Sequence, residues 1–189
     1  AYDQMRRFEK DHHKPHLRHR IEHVQIIHPD HLERLAALGI IASVQPIHAT
    51  SDYQMVDRFW GSRSRTAYAF RDLLAVNTRM TFGSDAPVES FNPFWGIHAA
   101  VTRRRTDGSP APDGWYPEQR LTVEEAVRGF TMGAAYASYD EQRKGSLTTG
   151  KLADLIVLDR DIFTSEPQAI ADTQVLATMI DGRFVHRTF

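Results

Sequence analysis

Three short segments rich in β-branched residues, each with helical spacing downstream, constrain this chain most. They are "RIEHVQII" at 20–27, "IIASVQP" at 40–46 and "RMTFGSD" at 79–85. Strands that alternate with helical stretches form βαβ units, and successive units build a parallel sheet covered by its own crossovers. In the first segment the period-two pattern predicts Ile21, His23 and Gln25 on one face. After it, Pro29 suits a first helical position, Asp30 and Glu33 suit a first turn, and Gly39 suits the end. Leu32, Leu35 and Leu38 then form the buried stripe. Pro46 stops the second strand because it cannot donate to a ladder. Residues 50 to 75 are helical in character, with Tyr68, Leu73 and Val76 roughly on one face.

The remainder changes character twice. A Gly- and Pro-containing loop, "RRRTDGSPAPDGWYPEQR", leads into "LTVEEAVRGFTMGAAYAS", where Thr122 and Glu125 stand at capping-box spacing. Ala126, Phe130 and Ala134 fall on one face of that helix, and Gly133, Ala134, Ala135 and Ala137 let it approach a neighbour closely. From Gly145 onward the pattern is strand-like, and Asp181-Gly182 is the dipeptide that a two-residue type I′ hairpin prefers. The expected organisation is an α/β unit over 1–144 and a small β element over 145–189, the latter too small to be stable alone.

A chain of 189 residues with 41% hydrophobic content can bury one good core. Its 23 basic and 24 acidic side chains nearly cancel, so no electrostatic footprint points to nucleic acid or an anionic membrane. No apolar run approaches the roughly 18 residues a membrane span needs. The expected setting is cytoplasmic, although "AYDQMRRFEKD" reads as the middle of a helix, which suggests preceding sequence and leaves any upstream signal out of view. With no cysteine, disulfides and thiolate zinc sites are excluded. Any metal must be held by histidine and carboxylate.

In parallel α/β folds, ligands sit beyond the carboxyl ends of the strands. His23, His48 and Asp85 each stand at or just past such an end. Two imidazoles and a carboxylate form a donor set suited to Zn²⁺, Mn²⁺ or Fe²⁺, and Asp85 beside a metal could equally serve as a base. Each residue also has an ordinary use: His23 as a hydrogen-bonded rim residue, His48 as a lead into a helix capped by Ser51 or Asp52, and Asp85 as a turn former before Ala-Pro. The histidines at 12, 13, 16 and 19 read as a solvated loop, since Pro15 prevents helical i, i+4 chelation. Arg103 to Arg105 read as an exposed helix end. Trp60, Trp95 and Trp115 are either packing residues or pocket walls.

The segments "RIEHVQ", "SVQPIHATSD", "FGSDAPV" and "GSLTTGKLADLIVLDRD", in this order, closely resemble the C-terminal half of the amidohydrolase superfamily. The most similar branch is amidohydrolase family 3, which contains N-substituted formamide deformylase. The likeness runs from about Arg18 to Val185. It implies the C-terminal part of a TIM-like (β/α)8 metal-dependent hydrolase barrel plus part of a small β-sandwich. Carried over residue by residue, it makes His23 the metal ligand of the sixth barrel strand and Asp85 the eighth-strand carboxylate that touches metal and water. His48, with Gln45 and Ser84, is assigned to substrate or transition-state contact, and Gly83 to a tight approach before Asp85.

The resemblance further implies a divalent metal, most often zinc, with one or two ions in the full-length protein. The substrate would be a small amide-type molecule, with no nucleic-acid or membrane partner. The family's first-strand His-x-His, its bridging fourth-strand residue and its fifth-strand His are absent from this sequence. The chain alone is therefore expected to hold an incomplete and inactive site, and to associate with the missing N-terminal part or with another copy. Rival expectations are a non-catalytic truncated half-barrel that self-associates and a deaminase or other hydrolase of the same superfamily.

Overall fold

The computed structural model describes residues 2–13 and 17–189. Pro15 and His16, invoked above for the histidine-rich segment, lie outside the described residues.

The three anticipated strands form one parallel sheet in the order β1 (Arg20–Glu22), β2 (Ile41–Val44), β3 (Met80–Phe82). Arg20 pairs with Ile41, and Ala42 with Met80, in parallel register. β2 is central because its Ile41, Ala42 and Val44 are all buried, as a strand covered on both faces requires. Helix α1 (Tyr2–Asp11) precedes the sheet, and a 3₁₀ turn at Pro29–His31 opens α2 (Leu32–Ala37), which crosses from β1 to β2. Leu35 is buried and Leu32 and Leu38 are partly buried against the same core, so the expected stripe holds.

The second crossover departs from a single helical stretch. Pro46 does not merely end β2: it is the first residue of α3 (Pro46–Trp60), a position where its missing N–H costs nothing. A 3₁₀ segment at Gly61–Thr66 follows, and the chain then bends at Tyr68, whose φ is 50°, before α4 (Phe70–Ala75). Tyr68 is therefore not on a helix face; it is a buried break point whose hydroxyl donates to Asp52. Burial and that carboxylate push its pKa well above the usual tyrosine value.

After β3, α5 (Pro93–Thr102) packs on α3, and Thr122 and Glu125 form the expected capping box, with N···O distances of 2.7 and 3.2 Å. The helix they start, α6 (Val123–Arg128), passes through a π turn at Gly129–Gly133 into α7 (Ala134–Ala137). That wider turn moves the buried face by one residue, so Ala126 and Ala135 are buried rather than Ala126 and Ala134. Added Cβ atoms at Gly129 and Gly133 would stand 2.4 Å from the Phe82 ring and 2.4 Å from the Met80 carbonyl. These glycines let the helix lie directly on β3.

Arg103 is not an exposed helix end. It is fully buried, adopts φ 57° at the close of α5, and its guanidinium donates to the carbonyls of Trp115 (2.9 Å) and Tyr68 (3.0 Å). The Phe70 and Trp115 rings flank the charge. Burial lowers its pKa from the usual arginine value.

Beyond Gly145, β4 (Leu155–Leu158), β5 (Val175–Ile180) and β6 (Arg183–Arg187) form an antiparallel sheet in that order. Asp181 and Gly182 both have positive φ, 48° and 74°, as a type I′ hairpin turn demands. The Asp154 carboxylate accepts from Asp181 N at 2.8 Å and fixes that turn. Ile162 and Ile170 join the core that contains Val44, Phe70 and Phe82, which ties the β element to the α/β unit. Among the described residues no helix is long and apolar enough to cross a membrane.

Candidate metal centre

Strand β1 is shorter than the sequence pattern implies, and the reason lies at the site. His23 N still donates to Ser43 O at 2.7 Å, continuing the ladder by one bond. His23 and Val24 then take φ of 69° and 41°, so the chain leaves the sheet immediately. Left-handed geometry is costly for a β-branched valine and is held here by the surrounding structure. The expected Ile21, His23, Gln25 alternation is broken at this bend. Gln25 instead donates its side-chain amide to the Tyr68 hydroxyl at 3.2 Å.

At the end of β2 the chain passes through Gln45, the N-cap residue of α3, and Pro46 into the helix. His48 thus sits in the first turn, where it is 7% exposed. Its Nε2 is buried and has no hydrogen-bond partner. An orphaned imidazole nitrogen normally costs about 1–3 kcal/mol, so its presence beside two other donor groups points to a ligand.

At the end of β3, Gly83 N donates to Val44 O at 3.2 Å. Gly83 itself has open space where a Cβ would stand. The tight approach expected of Gly83 is therefore absent, and the unusual conformation belongs to Asp85, with φ 57°. Aspartate tolerates this region better than most residues because its short polar side chain can interact with nearby backbone. Val88 N closes the turn on Asp85 O at 2.8 Å, and Ser51 of α3 donates to Glu89, pinning the loop to the helix that carries His48.

One donor atom from each of His23, His48 and Asp85 lies within 4.8 Å of the others. The His23 and His48 rings stack 5.9 Å apart with planes 20° from parallel. Tetrahedral zinc with bonds of about 2.1 Å would set its ligand atoms about 3.4 Å apart, so small side-chain rotations suffice to share an ion. The donor chemistry and the unpartnered Nε2 of His48 both fit a borderline divalent cation.

The other sequence-derived candidates divide. Gln45 is buried, and its Oε1 accepts from His23 Nδ1 at 2.9 Å. Ser84 is half-buried beside Asp85, with no side-chain hydrogen bond among the described residues. In the histidine-rich segment, His12 stacks on Phe8 and His19 meets Glu9 at 2.9 Å, so neither joins the centre. Trp115 is buried and donates to Asp57, whereas Trp95 is exposed beside a groove lined by His98, Arg104 and Arg105. The hydrogen bond between His23 and Gln45 was not legible in the sequence, although a Gln directly before a helix-starting Pro could have suggested it.

The sequence profile of the amidohydrolase family matches residues 1–186. The chain is 35% identical over 168 residues to the protein LONG AFTER FAR-RED 3 of Arabidopsis thaliana, covering 88% of this chain and 28% of that protein. It is 31% identical over 165 residues to N-substituted formamide deformylase of Arthrobacter pascens, covering 86% of this chain and 30% of the enzyme. An uncharacterised metal-dependent hydrolase from Pyrococcus furiosus superposes with a TM-score of 0.68 at 30% identity, covering 86% of this chain and 32% of that one. The chain therefore spans about a third or less of the length of these relatives, and it belongs to the amidohydrolase family.

Proposed function

We propose that this chain supplies the C-terminal part of a metal-dependent (β/α)8 hydrolase that cleaves the C–N bond of a small amide or formamide with water, and that zinc is the metal. The observation that carries this is the meeting of His23, His48 and Asp85 at the carboxyl ends of three adjacent parallel strands. Family membership and the metal-dependent hydrolase among its structural relatives support the same reading.

His23 and His48 would hold the ion, which when bound would supply a Lewis acid for the amide carbonyl and the attacking water. Asp85 takes the proton from that water and delivers it to the departing nitrogen, so one carboxylate serves as base and then as acid. The exposure of Asp85 leaves its carboxylate free to exchange a proton. Each of β1 and β3 pairs on one side only among the described residues, and the remaining barrel strands would continue the sheet from there.

The test is turnover by a chain extended to the length of its relatives, assayed on N-substituted formamides, simple amides and deaminase substrates. Asp85→Asn should abolish hydrolysis with an unchanged circular dichroism spectrum. Retained turnover removes Asp85 from the chemistry, and activity confined to deaminase substrates replaces the amide assignment.

A further inference from the structure

Gln45 is 7% exposed and stands at the N-cap of α3, yet its side chain caps nothing. N-cap positions favour Ser, Thr, Asp or Asn, whose short side chains reach the first-turn amides. The longer amide runs instead toward β1, where its Oε1 lies 2.9 Å from His23 Nδ1. A carbonyl oxygen can only accept, so Nδ1 is the protonated nitrogen. A neutral imidazole carries one ring proton, which leaves the lone pair on Nε2.

We infer that Gln45 is a positioning residue that holds His23 in its Nδ1-protonated tautomer and aims Nε2 at the point shared with His48 and Asp85. The inference rests on the reading of His23 as a metal ligand. Metal-bound histidines characteristically give their second N–H to a fixed acceptor, which sets ring orientation and raises ligand basicity. His48 needs no such tether, because burial and stacking on His23 already fix its ring. His23 needs one, because it hangs from a left-handed bend at a strand end and is less covered than His48. The assignment differs from a substrate contact: the amide oxygen is committed before any substrate arrives.

The experiment uses a chain extended to the length of its relatives, in its wild-type, Gln45→Leu and Gln45→Glu forms, with circular dichroism as the check on folding. Two-bond nitrogen–proton correlation spectra of the metal-free proteins, recorded where the imidazole is neutral, report the His23 tautomer. Competition with a chromophoric chelator reports Zn²⁺ affinity. The wild type should show Nδ1–H. Gln45→Leu should move the proton toward Nε2 and weaken Zn²⁺ binding by about 10- to 100-fold, while Gln45→Glu, which keeps the acceptor, should retain both properties. An Nε2 proton in the wild type, or unchanged affinity in Gln45→Leu, overturns the inference while leaving the ligand reading in place. A wild type with the Nδ1 proton that binds no Zn²⁺ overturns the ligand reading itself, and the inference with it.

Discussion

The imidazoles of His23 and His48 face each other at 5.9 Å, one at the end of a strand and the other in the first turn of a helix that follows the next strand. The stack brings together two nitrogen donors, of which one is buried and unpartnered. His48→Ala should therefore lower Zn²⁺ affinity by at least about tenfold, in line with losing a direct ligand, while relieving an unsatisfied buried nitrogen in the metal-free protein. Isothermal titration with Zn²⁺ checks the first effect, and thermal melting of the apo form checks the second. Equal affinity in mutant and wild type would exclude His48 from the centre.

Two carboxylates outside that centre, Glu9 and Glu141, should make stability fall in acid. Arg6, followed by His19, holds Glu9 down to about 2, and Arg18 holds Glu141 down to about 2, both from an ordinary value of 4.5. A depressed folded-state pKa contributes stability that is present above 4.5 and is lost as pH falls toward 2. Arg18 makes paired contacts of 2.8 and 2.6 Å to Glu141 and lies over the Tyr136 and Tyr139 rings, so the clamp ties the approach to β1 to the segment after α7. Glu141→Gln should flatten the fall of melting temperature across this acid window and leave the neutral plateau lower. A melting curve against pH with wild-type slope would refute the linkage.

Gly133 bears on the strand that leads to Asp85. Its missing Cβ would press on the Met80 carbonyl at 2.4 Å, backbone that cannot rotate away. Gly133→Ala should cost about 1–3 kcal/mol in urea unfolding through overpacking, despite alanine's better helix propensity. A stabilised Gly133→Ala protein would mean that the π turn relaxes to remove the clash.

Arg103 holds two buried carbonyls and, among the described residues, has no carboxylate within ion-pairing distance. Arg103→Leu should leave both unsatisfied and destabilise the chain by about 2–4 kcal/mol, and Arg103→Lys should recover little, because a point-like ammonium cannot span both acceptors. Equilibrium unfolding of the two variants decides this, and full rescue by lysine would contradict the forked geometry.

The parallel sheet was legible because its strands are short, β-branched and separated by helical spacing, and the hairpin was legible because Asp181-Gly182 specifies its turn locally. His23, His48 and Asp85 were legible as strand-end residues. What the sequence hid depends on tertiary context. The left-handed bend at His23 and Val24 contradicts the local preference of valine. The π turn that moves burial from Ala134 to Ala135 answers to Gly129 and Gly133 lying on β3. Arg103 carries a charge that reads as solvent-exposed until the carbonyls of Tyr68 and Trp115 are seen around it. Gln45, which the resemblance assigns to substrate contact, shows its hydrogen bond to His23 only once the two strand ends are brought together.

The shared centre is tested most directly by crystals of a chain extended to the length of its relatives, grown with Zn²⁺ and measured on both sides of the zinc absorption edge. One anomalous peak is expected within bonding distance of His23, His48 and Asp85, with the His23 bond made through Nε2. Density confined to the histidines near residue 13, or bound to surface carboxylates with none at the strand ends, would contradict it.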